Sequence, residues 1–419
     1  MKTEITEIRA REILDSRGNP TVEATVILKD GTSASASVPS GASTGKYEAC
    51  ELRDTESPRY FRLGVEHAVE NVTRKIAPAL IGISATEQSR ADSLMIALDG
   101  AYNKSNLGAN AILSVSLATA RAAASSLGIP LYRYLGGALA SRMPIPMMNV
   151  LNGGAHAANN VDIQEFMIVP VGADSFADGV RMCAEIYHAL KNLLRAAGKD
   201  TGVGDEGGFA PSLGTDEEAI EWLLSATEKA GYRAGEDIMI SLDIASSEWK
   251  EEGGYVLKKS GKKYTADALC DFYDALRKKY PILSIEDGMG EEDGYGWRRL
   301  TERLGKNTLL VGDDLFVTNR ARLAEGIREG YGNAILIKPN QIGTLTETAA
   351  TVSLAKENGY RVILSHRSGE TGDTFIADLA VALGADYIKS GAPARAERTE
   401  KYNRLLKIES EIFGASYGM

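Results

Sequence analysis

The sequence predicts an α/β protein in two parts, an N-terminal α+β unit over residues 1–135 and an α/β barrel over 141–419. Three observations carry this. A chain of 419 residues exceeds the usual size of one hydrophobic core. The rhythm of apolar and polar residues changes near residue 141, where Pro144 and Pro146 mark a linker. Beyond it, short apolar runs recur at near-constant spacing, each ending in a charged or polar group.

In the first part, Thr21–Leu28 is rich in β-formers, and Lys29-Asp30-Gly31-Thr32 is a turn leading into a second strand over 33–38. Three helical stretches follow, near 65–79, 87–98 and 108–127. The last has Ala-rich faces and stops at Gly128-Ile129-Pro130, a glycine-then-proline ending.

The second part opens with two strand-like runs, 146–151 and 163–169, then two helices near 175–197 and 216–230. The repeating runs come next: 238–243 ending in Asp243, 282–286 ending in Glu286, 309–313 ending in Asp313 and 334–338 ending in Lys338. They continue with 362–367 ending in His366-Arg367 and 387–389 ending in Lys389. After a long first gap, filled by a Gly- and Lys-rich excursion near 251–263, these ends lie roughly 23–28 residues apart, a strand–helix repeat. Buried parallel strands are apolar throughout, so a charge at the same end of each is costly unless those ends meet at an aqueous or metal-filled site. An α/β barrel gathers all carboxyl ends on one face; an open doubly wound sheet is the alternative that this pattern leaves.

Bulk properties exclude several classes. The net charge of −10 argues against nucleic acid as a ligand, and any anionic substrate needs a locally positive site. No apolar run approaches the roughly 20 residues of a membrane span, and the start Met1-Lys2-Thr3-Glu4-Ile5 has no apolar signal core. Cys50, Cys183 and Cys270 lie far apart without CxxC spacing, which fits a reducing cytoplasm rather than a disulfide or zinc framework.

Asp243, Glu286 and Asp313 come from three strand ends, and hard oxygen donors without Cys or clustered His point to Mg²⁺. One such acid alone reads as a helix cap; three in register read as a metal site, with Asp287 and Asp314 as supports. A lysine closing an apolar strand in a barrel mouth is a candidate base. Lys338 would need its pKa lowered from about 10.4 to about 7–8, roughly 4 kcal/mol of bias, which Lys389 and metal could supply. Ser365-His366-Arg367-Ser368-Gly369-Glu370-Thr371 offers a fork-shaped cation and hydroxyls suited to phosphate. Ser40-Gly41-Ala42-Ser43-Thr44-Gly45-Lys46 lacks P-loop spacing and reads as a mobile lid. Gly204-Asp205-Glu206-Gly207-Gly208 exposes an acid between glycines, and Asn152-Gly153-Gly154-Ala155-His156 presents a histidine. Either is a weak signal alone, and His67 and His188 read as structural.

Together these stretches resemble the enolase family. SGASTGKYEA (40–49), LNGGAHA (151–157), IQEFM (163–167), VGDEGGFAP (203–211) and SLDIASSE (241–248) occur in the family's order. SIEDG (284–288), GDDLFVTN (312–319), IKPNQIGT (337–344) and SHRSGETGDT (365–374) continue it, within a resemblance running from DSRGNPTVE (15–23) to IKSGAPAR (388–395). The resemblance implies an eight-stranded TIM-like barrel of ββαα(βα)6 order. It implies Mg²⁺-dependent, reversible dehydration of 2-phospho-D-glycerate to phosphoenolpyruvate in glycolysis. Lys338 would be the base and Glu206 the general acid, with Glu165 beside it. Asp243, Glu286 and Asp313 would hold the first Mg²⁺. A second Mg²⁺, arriving with substrate, would take the Ser43 carbonyl. Arg367 and Ser368 would bind phosphate, Lys389 would face the carboxylate, and His156, Gln164 and His366 would complete the pocket. Family members form dimers or octamers of dimers.

Ala158, Leu63 and Gly294-Tyr295 depart from bacterial members of the family, at positions without a chemical role. Another proton-abstracting barrel of the wider superfamily is the rival enzyme reading; many such relatives carry a Lys-x-Lys pair where this chain has GDEGG. A binding role on protein partners, or a surface or secreted pool, is the rival of another class. The ending Ser416-Tyr417-Gly418-Met419 lacks a terminal lysine for a lysine-binding partner, and the 258–263 lysine patch reads as a solvated hairpin tip.

Overall fold

The computed structural model describes residues 2–41, 45–157 and 159–418, apart from the His156 side chain. It opens with a strand that the sequence pattern does not announce, β1 (Ile5–Leu14), whose charged residues face solvent while Ile5 and Ile8 turn inward. β1 pairs antiparallel with β2 (Pro20–Leu28), and β2 with β3 (Ser33–Ser37). The expected 65–79 helix is a run of Glu66–Asn71 and Ala77–Leu80 joined through a wide turn at Val72–Ile76. α1 (Gln88–Asp99) and α2 (Ala109–Leu127) follow. The small side chains of α2 let it lie close across the sheet, so almost the whole helix is buried. It ends at Gly128, whose φ of +67° suits a residue without Cβ.

The barrel strands are β4 (Ile145–Asn152), β5 (Glu165–Val169), β6 (Met239–Asp243), β7 (Ile282–Glu286), β8 (Leu309–Gly312), β9 (Ala334–Ile337), β10 (Arg361–Ser365) and β11 (Tyr387–Lys389). They close in the order β7-β8-β9-β10-β11-β4-β5-β6. Two helices, α3 (Phe176–Ala196) and α4 (Asp216–Lys229), lie between β5 and β6, and one or more helices follow each later strand. This is the ββαα(βα)6 order, and the open sheet is excluded. β5 alone runs antiparallel to its neighbours β4 and β6. Met147, Met167, Val311, Leu336, Ile363 and Tyr387 fill the barrel interior, so the carboxyl mouth opens above a packed floor.

The linker is itself pinned, because Arg142–Met143 pairs in parallel with Ser416–Tyr417 near the chain's end. The 251–263 excursion is a small sheet of Lys250–Glu251, Gly254–Val256 and Lys263–Tyr264. Its tip is not merely solvated: the Lys259 and Ser260 amides donate to the Asp162 carboxylate at 2.7 and 3.0 Å. The Gly294 departure has a steric reason, since a Cβ there would fall 2.3 Å from the Tyr331 hydroxyl. Tyr295 donates from its hydroxyl to Asp267 at 2.9 Å. Among the described residues no helix is long and apolar enough to cross a membrane.

Candidate active site

The strand register brings the acids together. Glu286 of β7 is level with Asp243 of β6, and Glu165 is the partner of Asp243 on the other side. Glu165 begins its strand rather than ending it, yet reaches the same mouth because β5 runs backwards. Asp313 and Lys338 follow β8 and β9 directly, and Lys389 closes β11 level with Ser365 of β10. Glu206 enters from the glycine-bordered loop, where Gly207 has φ +87° and a Cβ added to it would lie 2.8 Å from the Ala394 carbonyl oxygen. A side chain there would collide with that carbonyl and strain the backbone.

One cavity is lined by Gln164, Glu165, Glu206, Asp243, Asp313, Lys338, His366, Arg367, Ser368 and Lys389. A cleft of about 750 Å³ lies elsewhere, beside Tyr102 and Lys104. Its walls are mainly apolar and its lysine is already paired with Glu347 at 3.0 Å, so we place the chemistry in the barrel mouth.

Within the mouth, the Lys389 ammonium touches Asp243 at 3.0 Å, Glu286 at 2.9 Å and Glu165 at 3.1 Å. Burial alone would depress this lysine, but Asp243, Glu165 and Glu286 hold it well above its ordinary value. Lys338 donates to Asp313 at 2.5 Å. Burial again pushes downward, but Asp313 and Glu286 together pull upward, and Lys338 stands above the ordinary lysine value rather than below it. The sequence expectation of a depressed Lys338 is therefore not met while Asp313 remains its partner. Burial and the neighbouring Glu206 charge push Glu165 well up; burial and Asp243 do the same to Glu286.

The carboxylates outnumber the ammoniums that face them, and every donor is a hard oxygen. That chemistry fits a divalent cation such as Mg²⁺ at Asp243, Glu286 and Asp313. Among the described residues, the acids whose oxygens lie within 4.8 Å of one another are instead Asp287, Asp313 and Asp314. Asp287, however, accepts the Asp313 amide at 3.0 Å and the Asp314 amide at 2.9 Å, one on each oxygen. It braces the turn that carries Asp313, which is the supporting role the sequence suggests for it. Burial and Asp313 raise Asp314 to about 7.

On the opposite wall, Arg367 is buried and clamps Glu48 through both terminal nitrogens, at 2.9 and 3.2 Å. Its turn is held by the N-terminal unit. Ser40 and Gly369 exchange backbone hydrogen bonds of 2.8 and 2.9 Å, and the Ser16 amide donates to Glu370 O at 2.7 Å. A Cβ on Gly369 would lie 2.5 Å from Asp15 Oδ2 and from Ser40 Oγ, so this contact requires glycine. His366 is buried, with Nε2 3.4 Å from Glu206 Oε2. Gln164 donates to Asp243 at 3.4 Å.

Lys338, Lys389, Glu165, Glu206, Asp243, Glu286, Asp313, Gln164, His366, Arg367 and Ser368 thus converge. Ser43 and Ala158 lie outside the described residues, as does the His156 side chain, although His156 itself closes the Gly154–His156 turn. His67 is away from the mouth, beside Asp54 at 2.8 Å. Sequence reasoning missed several supports. Asn149 donates to Glu206 at 3.1 Å, and Gln341 donates to Asp313 at 2.8 Å. Arg398 holds three carbonyls of the site's loops. A polar Asn149 inside an apolar strand was a usable signal; a helical arginine such as Arg398 gives none.

Two family models match the chain: "Enolase, N-terminal domain" over residues 5–135 and "Enolase, C-terminal TIM barrel domain" over residues 140–417.

Proposed function

The chain belongs to the enolase family of enzymes, and from that premise we propose that it is a lyase dehydrating 2-phospho-D-glycerate reversibly to phosphoenolpyruvate. The observation that carries this is the pairing of Lys338 with Glu206 across one acid-lined mouth. Lys338 Nζ, as the free amine, takes the proton from the carbon beside the carboxylate. Glu206 then protonates the departing hydroxyl, which leaves as water, and the electron pair closes the carbon–carbon double bond. Glu165 stands next to Glu206, and burial with that neighbour pushes its carboxyl well up, so it can share the acid's proton. Lys389 faces the carboxylate as negative charge develops there. Arg367 and Ser368 bind phosphate, with Arg367 shared between phosphate and Glu48.

Asp243, Glu286 and Asp313 would hold one Mg²⁺, and the Ser43 carbonyl a second that arrives with substrate. When bound, the cations would neutralise these carboxylates, loosen the Asp313 hold on Lys338 and stabilise the enolate charge. The acidic molecule then offers its anionic substrate a locally positive site. We further propose the division at residues 1–135 and 141–419, a homo-oligomer, and a cytoplasmic place in glycolysis. Nucleic acid has no part in this reading.

The test is direct: the purified chain is mixed with 2-phospho-D-glycerate, with and without Mg²⁺, and phosphoenolpyruvate is followed by its ultraviolet absorbance. We expect turnover with Mg²⁺ and none after chelation. Failure to turn over with Mg²⁺ would reject the substrate assignment and favour another carboxylate.

A further inference from the structure

The helix α5 (Ala396–Glu411) carries Arg398, whose side chain is fully buried. Its guanidinium donates to the carbonyl oxygens of Arg367 at 2.6 Å, Ser368 at 2.6 Å and Asp205 at 3.1 Å. One side chain thus ties the loop of the acid, Glu206, to the turn that carries Arg367 and Ser368. The same Nη1 lies 2.6 Å from His366 Nδ1.

The chemistry of that last contact is restrictive. A guanidinium has only N–H donors and stays charged at any pH the fold survives. Nδ1 must therefore present its lone pair. An imidazole that accepts at Nδ1 carries its one proton on Nε2, and a doubly protonated ring would set N–H against N–H. Nε2 is the atom that faces Glu206, at 3.4 Å. Burial, joined by the Arg398 charge, pushes His366 down to about 4 against the opposite pull of Glu206 and Glu370. Both lines point the same way.

We propose that Arg398 is a positioning residue that fixes His366 as a neutral ring carrying its one proton on Nε2, the nitrogen beside Glu206. His366 then serves the pocket as a fixed donor and does not carry a proton through the reaction. The catalytic part of this statement rests on Glu206 being the acid of the proposed dehydration; the tautomer does not.

The experiment is a long-range ¹H–¹⁵N spectrum of the full-length ¹⁵N-labelled protein at pH 7. His366 is identified by the signal missing from His366→Gln, which separates it from His67, His156 and His188. We expect a single Nε2–H tautomer with an unprotonated Nδ1. A Nδ1–H ring, an imidazolium or an average of exchanging tautomers would overturn the proposal. In Arg398→Met we expect the fixed tautomer to be lost and kcat to fall by about 10-fold or more, as when a partner that orients a ligand residue is removed. Arg398→Lys, which keeps the charge and one donating nitrogen, should recover part of both. Retention of the fixed tautomer and of kcat in Arg398→Met would remove the positioning role. Should neither variant fold, the spectrum of the unaltered protein still decides the tautomer. A correct tautomer without phosphoenolpyruvate formation would reject the reaction and leave the assignment of His366 standing.

Discussion

Lys338 is held above its ordinary value by Asp313, yet a base must shed its proton near neutral pH. The conflict resolves if Asp313 is a shared ligand, engaged by the first cation and so drawn away from Lys338. Removal of the amine then separates the two halves of the reaction. Lys338→Ala should lose exchange of the substrate's α-proton with solvent by at least about 10³-fold, in the range expected of a positioned base. Glu206→Gln should keep exchange while losing dehydration. Deuterium uptake into 2-phospho-D-glycerate reads both, and full-rate exchange without Lys338 would remove it as the base. Gly369 makes a different kind of case, since it touches no reacting atom. Gly369→Ala would push a methyl against Asp15 and Ser40, an overpacking that costs about 1–3 kcal/mol. The turn bearing Arg367 and Ser368 should shift, so KM should rise more than kcat falls, with a lower denaturation midpoint. An unchanged KM and midpoint would show that the junction yields without cost.

The strand ends were the most legible elements, because a charge closing an apolar run is expensive and needs a reason. Asp243, Glu286, Lys338 and Lys389 could be aligned from spacing alone. Glu165 could not be aligned that way, since its place depends on the reversed direction of β5, which no local pattern encodes. β1 was hidden by its outward charges, and Arg398 and Gln341 act through contacts remote in sequence. The α4 start shows a further coupling of this kind. Asp216 Oδ1 accepts the Asp162 and Ile163 amides at 2.8 and 3.0 Å, holding the loop just ahead of Gln164. Burial raises its carboxyl from 3.8 to about 6. The folded state therefore binds the proton more tightly than the unfolded chain, and stability falls as pH climbs from about 4 to 6, then levels. Asp216→Asn keeps the accepting oxygen and removes the charge. We expect it to be more stable than the parent by about 1–2 kcal/mol above pH 6, after discounting for the solvent that reaches this half-buried group, with the gain vanishing near pH 4. Urea midpoints at both pH values check this, and a loss at pH 7 would mean that the amide bonds need the full carboxylate charge.

Across the whole molecule, the N-terminal unit is not a separate module resting on the barrel. Asp15, Ser40 and Glu48 reach into the turn of Arg367 and Gly369, so the phosphate side of the mouth is built from both ends of the chain. The opposite side is a barrel of buried acids whose mutual repulsion is only partly relieved by Lys338 and Lys389. Such a site is a source of instability that a bound cation would remove, and anything that binds only the folded state stabilises by RT ln(1 + [L]/Kd), about 2.7 kcal/mol at 100 times Kd. Mg²⁺ should therefore raise the melting temperature by a few degrees in the absence of substrate, and a chelator should reverse it. Asp243→Asn relieves repulsion on Glu286 while weakening the ligand set. Its melting temperature without Mg²⁺ should be equal to or above that of the parent, and the rise with Mg²⁺ should largely disappear. A melting temperature that ignores Mg²⁺ in the parent, or rises equally in Asp243→Asn, would place the cation elsewhere and leave the buried charge to be balanced by the lysines alone.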